Sequence, residues 1–152
     1  SGNLAEIGYA NGVPMGSDLP AAASVNNSPI FLATASRDIN SAPLVEIQLI
    51  KGWIDKEGEM RNKILSIIKE PNGRNSLCGL YTDDTFKKNE LSYYYLRVLE
   101  APTKRWSQYD CEKLPQDERP GICSDDSYLS SIQEMAWTSP IWFTPRQSNH
   151  AK

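Results

Sequence analysis

"LVEIQLIKGWIDKEGEMRNKILSIIK", running from Leu44 to Lys69, decides how this chain folds. In its first half Val45, Ile47 and Leu49 alternate with Glu46 and Gln48. Period-two alternation puts successive side chains on opposite sides of a strand. The polar stretch "DKEGE", residues 55–59, then suits a hairpin turn, with Gly58 able to take the left-handed backbone region. The return strand is "NKILSIIK", from Asn62 to Lys69. A chain built around such a hairpin is a β-protein.

Working outward, four more stretches read as strands: "IFLATASRD" from Ile30, "SLCGLYTD" from Ser76, "LSYYYLRVLE" from Leu91, and "SPIWFTP" between two prolines. "EPNGRN", residues 70–75, reads as the turn before Ser76, because Pro and Asn-Gly punctuate a chain. About six strands separated by turn signals, without a sustained amphipathic helix, point to an all-β fold. The expected form is an immunoglobulin-like β-sandwich with an irregular N-terminal arm and a long loop before the last strand. A mixed α+β domain is the competing reading, and "SSIQEMAW" offers one short helical turn. Residues 1–29, with many Gly, Pro, Asn and small side chains, read as an arm or linker whose "AAASVNN" stretch is its helical candidate. Residues 30–146 are then the sandwich domain, and 147–152 a disordered tail.

In "YYYLRVLEAPTKRW", from Tyr93 to Trp106, the strand splits into two faces. Tyr94, Leu96 and Val98 share one, which is a core face. Tyr93, Tyr95 and Arg97 share the other, where two tyrosines beside an arginine make either a cross-strand ladder or a binding surface. The ladder is the default.

At 152 residues the chain fits one domain, burying roughly 70% of its unfolded surface. Apolar residues make up 39% and mean hydropathy is -0.50, as expected of a soluble, modestly cored domain. The 19 acidic and 16 basic residues give a net charge of -3 and are interspersed. No basic stripe suits nucleic acid, so no nucleic-acid partner is expected. No apolar run approaches the ~20 residues of a membrane span, and no signal-peptide pattern is visible.

Catalytic constellations are sparse. The single histidine, His150 in "RQSNHAK", leaves no Ser-His-Asp arrangement to build. CxxC, HExxH and phosphate-loop motifs are absent from the sequence. Adjacent carboxylates occur at Asp83-Asp84 and Asp125-Asp126, but neighbours on a strand point to opposite faces. They read as turn caps or solvated loop, and calcium at Asp125 and Asp126 lacks EF-hand spacing. "PMGSDLP" carries Leu19 where a Gly-Ser-Asp-x-His metal motif needs histidine. No cofactor, catalytic group or metal ligand is expected. Trp53, Trp106, Trp137 and Trp142 either line a sugar groove or serve as core and interface residues, the commoner use in a small β-domain.

Cys111 and Cys123 flank "CEKLPQDERPGIC". A bridge there would close about 13 residues and contribute roughly 3 kcal/mol in the chain-entropy model. Two separate thiols are the alternative. A bridge would favour an oxidising compartment, periplasmic or extracellular. Cys78, in "SLCGLY", reads as a small apolar strand residue.

Taken together, "NGVPMGSDL", "IQLIKGWIDKEGE", "SLCGLYTDDTF", "YYYLRVLEAPTKRW" and "IQEMAWTSPIWFTP" resemble the C-terminal portion of the bacterial domain-of-unknown-function family 3604. The resemblance runs in order from Asn11 to Pro145. It implies a larger N-terminal part similar to metal-dependent phosphoesterases of the polymerase-and-histidinol-phosphatase class, where the histidine-rich metal motifs lie. No metal ligand carries over to this chain. The matching positions are Met15, Asp18, Lys51, Gly52, Trp53, Arg97, Glu100, Arg105, Trp106, Glu134, Trp137, Ser139, Pro140 and Trp142. The sequence departs from the family pattern at Ser17, Met135 and Phe143. Members with a cysteine like Cys78 often carry another just before it; none stands there, which leaves Cys78 unpaired and supports pairing Cys111 with Cys123.

The expectation is therefore a C-terminal accessory β-domain of a larger, metal-dependent phosphoesterase-like protein, catalytically silent alone. Its partner would be the N-terminal domain of the same protein, met through Trp53, Arg97, Arg105, Trp106, Glu134 and Trp142. Arg97 or Arg105 could then serve an anionic substrate. The alternative is a carbohydrate- or ligand-binding β-sandwich module. The absence of an initiator Met at Ser1 suggests a piece of a longer polypeptide.

Overall fold

The computed structural model describes residues 4–20, 28–125 and 130–145. His150, Asp126, "AAASVNN" and the 147–152 tail lie outside the described residues. In chain order the elements are α1 (Leu4–Asn11), β1 (Ile30–Ser36), β2 (Leu44–Ile54), β3 (Met60–Arg74), β4 (Ser76–Thr82) and β5 (Ser92–Glu100). Next come β6 (Thr103–Lys104), α2 (Trp106–Lys113), β7 (Ser131–Ile132), β8 (Met135–Trp137) and β9 (Ile141–Phe143). The chain is mostly β, and its strand pairs are antiparallel.

The Leu44–Lys69 stretch forms the expected hairpin. Gly58 sits at φ 84°, and the Asp55 carboxylate accepts the N–H groups of Glu57 and Glu59 at 3.1 and 2.8 Å. These contacts close the turn, and β2 and β3 pair from Ile54–Met60 back to Leu44–Arg74. β5 adds to the other edge of β2, and β8 and β9 each pair with a different end of β5. The resulting five-stranded sheet is covered on one face by the ribbon of β1 and β4.

Two apolar clusters join the layers. In one, Ala33 and Leu77 from the ribbon meet Leu44 and Ile47 of β2. In the other, Phe31 meets Leu49 and Tyr94, with the Phe31 and Tyr94 rings 4.6 Å apart. Leu96 and Val98 pack beside them, so the inner face of β5 is the one its alternation predicts.

Several expectations are corrected. "EPNGRN" is not a plain turn: β3 continues to Arg74, and residues 70–73 bulge between the Glu46–Lys69 and Leu44–Arg74 pairs. An excursion of this kind keeps strand direction while using turn residues. "SSIQEMAW" is extended rather than helical, supplying β7 and β8. The long loop holds α2 and two 3-10 turns, Gln116–Glu118 and Gly121–Ser124. Cys111 and Cys123 within it are bridged, their Cα atoms 5.7 Å apart. Residues 16–19 of the N-terminal arm are held against the sheet. Gly16 donates to the Pro140 carbonyl, Trp142 donates to Ser17, and Leu19 donates to Trp142 at 2.7 Å, strapping residues 16–19 along β9.

Candidate functional site

The two faces of β5 carry different chemistry. On the inner face, beside the apolar clusters, Lys51 Nζ lies 2.6 Å from Asp83 Oδ2, and both side chains are buried. Tyr94 donates its hydroxyl to the same carboxylate at 2.8 Å, and Thr85 donates its N–H and hydroxyl to Asp83 Oδ1 at 3.0 and 2.7 Å. The ammonium also reaches the Thr85 carbonyl, and it sits 5.6 Å from the Trp53 ring centroid and 5.7 Å from that of Tyr94. Burial alone would raise the Asp83 pKa, but hydrogen bonds from Lys51, Thr85 and Tyr94 outweigh it and hold the carboxyl below its ordinary value. The Tyr94 phenol is pushed up, first by burial and then by Asp83. Charges and donors are matched, and Lys51, Asp83 and Tyr94 are all buried. The assembly is a structural knot, and the turn-cap reading of Asp83 is half of it.

The outer face is open. Three rows of partners cross it: Asn62, Gly52, Tyr93 and Trp142; Ile64, Ile50 and Tyr95; Ser66, Gln48, Arg97 and Trp137. Tyr93 lies across Gly52 so closely that a Cβ there would stand 2.2 Å from its Cζ. Only glycine admits that approach. The Tyr93 ring is parallel within 8° to Tyr95 at 6.3 Å and meets Trp142 at 5.4 Å. Arg97 donates Nε and Nη2 to Gln48 Oε1 at 2.9 and 2.6 Å, which fixes the plane of the guanidinium. Trp142 is 49% and Trp137 61% exposed. Large apolar rings displayed together on one surface mark a contact site.

The six residues expected to form a docking face do not share one. Arg97 and Trp142 belong to the outer face, and Trp53 faces inward beside Lys51. Arg105 precedes α2 and donates to the Ser131 carbonyl, while Trp106 opens that helix 85% exposed, its ring 6.3 Å from Tyr109. Glu134 links β7 to β8, its carbonyl accepting the Glu100 N–H. A depression of about 440 Å³ lies around Ile54, Asp55, Leu91 and Pro145, and neither Arg97 nor Arg105 lines it. The anion role expected of those arginines therefore finds no pocket there. Cys78 is free and exposed on β4. Among the described residues no group of three or more His, Cys, Asp or Glu side chains could hold a metal ion, and no helix is long and apolar enough to cross a membrane.

The sequence groups Tyr93, Tyr95 and Arg97 and offers Trp137 and Trp142 as groove candidates, but the helical reading of the Trp137 stretch hides its place beside Arg97. The pairing of Lys51 with Asp83, 32 residues apart, is also missed.

Fold and site together define a mostly β domain with a buried ion pair on one side of its main sheet and an aromatic surface on the other. The chain belongs to the family described as "Protein of unknown function (DUF3604)", whose model matches residues 1–70 and 66–145. No curated protein and no solved structure matches it.

Proposed function

We propose that this chain is a non-catalytic accessory β-domain of a larger, metal-dependent phosphoesterase-like protein, and that it works by binding through its outer sheet face. The observation behind this is the placement of Trp137 and Trp142 on one surface with Tyr93, Tyr95 and Arg97. We read the two packed layers as an immunoglobulin-like β-sandwich. The Cys111–Cys123 bridge favours an oxidising setting, periplasmic or extracellular. The family resemblance assigns metal chemistry to another part of its members, which leaves positioning or ligand capture to this one.

The aromatic face supports ligand capture, the carbohydrate-binding reading, in particular. A second reading, in which the catalytic part of the parent covers this face, is favoured by the exposure of Trp137 and Trp142. Quenching of tryptophan emission by acrylamide, in the domain alone and in the longer protein, separates the two. Ligand capture requires equal quenching in both. Protection in the longer protein establishes the covered face instead. Phosphoester hydrolysis by the 152-residue chain alone would overturn the accessory role.

A further inference from the structure

We infer that the outer sheet face binds an anionic polysaccharide, with sugar rings against its aromatic side chains and a carboxylate or sulfate on Arg97. The inference rests on the ligand-capture reading. Its first support is the composition of the face. Across the three rows Arg97 is the one formal charge, and the other polar groups are the amides of Asn62 and Gln48, the Ser66 hydroxyl, the phenols of Tyr93 and Tyr95 and the indole N–H groups of Trp137 and Trp142. Such groups match ring C–H faces and hydroxyls.

The second support is the state of Arg97. A guanidinium has five N–H donors. Two of them are committed to Gln48, and the remaining three have no partner among the described residues. The guanidinium is thus held in one orientation with donors to spare, next to Trp137 in register across β5 and β8. A planar, oriented fork of this kind suits carboxylate or sulfate oxygens. The third support is length. Tyr93, beside Trp142, and Arg97, beside Trp137, are four residues apart on one strand, or roughly 14 Å. That spacing fits an extended chain rather than a single sugar.

The test is isothermal titration of the domain with polygalacturonate, polymannuronate, chondroitin sulfate and, as neutral control, cellohexaose. We expect binding of at least one anionic chain, weakened by salt and weakened roughly tenfold or more by Arg97→Gln. Trp137→Ala, at an exposed position, should weaken it comparably in a folded domain. Cellohexaose bound as tightly as the anionic chains, with Arg97→Gln indifferent, would overturn the anionic assignment and leave ligand capture standing. Failure of all four probes to bind would overturn both.

Discussion

Tyr94 and its neighbours Tyr93 and Tyr95 sit side by side on one strand and live in different environments. Tyr94 is 1% exposed, its hydroxyl spent on Asp83. Tyr93 and Tyr95 lie on the open side with their rings beside Trp142 and Arg97. The pleat alone separates them. The knot is closed: every charge in it has a partner, and the layers of the fold meet over it. The open face has rings without a covering layer and an arginine with donors left over. A buried, satisfied cluster holds a structure, whereas an exposed, incompletely satisfied one is where a binding partner adds something.

Breaking the knot should have the largest effect. Lys51→Met leaves the Asp83 carboxylate buried without its cation, and we expect a loss of about 3–5 kcal/mol in denaturant unfolding. Acid should act on the same group. The folded pKa of Asp83 lies below its ordinary 3.8, so the carboxylate contributes stability above that pH. This contribution is lost as pH falls from about 4 through the folded value. In Asp83→Asn the slope of stability against pH over that acid range should flatten relative to the wild type.

Gly52→Ala sharpens the contrast, since its new methyl group points at the open side. The Cβ would collide with the end of the Tyr93 ring, which can swing outward. We expect a cost of about 1 kcal/mol, near the low end for overpacking, and an altered near-ultraviolet spectrum from the displaced ring.

The sequence anticipates those parts of this contrast that depend on local pattern. Alternation in Ile47–Leu49 and in Tyr93–Arg97 assigns both faces correctly, and "DKEGE" marks the hairpin, but a register shift beside Val45 buries Leu44 in the place the alternation gives to Val45. The Cys111–Cys123 bridge was also within reach, from spacing together with the family resemblance. What depends on distant partners was not. The strap of residues 16–19 on β9 is made of backbone hydrogen bonds, which no side-chain pattern announces. Pro71 and Gly73 signal a turn but are absorbed into a bulge of β3. β7 and β8 have two and three residues, too few for a period to show. Tryptophans are read as buried by habit of composition, yet Trp106, Trp137 and Trp142 are exposed. Their exposure follows from which end of β5 each short strand pairs with, and from α2 lying outside the main sheet.

The most direct test of this division of labour compares Tyr94→Phe with Trp137→Ala, each assayed for unfolding free energy and for binding of the anionic chain that the wild type prefers. The account predicts opposite outcomes. Tyr94→Phe should cost about 1–3 kcal/mol, since a donor to a buried carboxylate is lost, and should bind as the wild type does. Trp137→Ala should stay within about 0.5 kcal/mol of the wild type in stability and lose most of its binding. Equal losses of stability and binding in both variants would contradict the claim that one face holds the fold and the other meets the ligand.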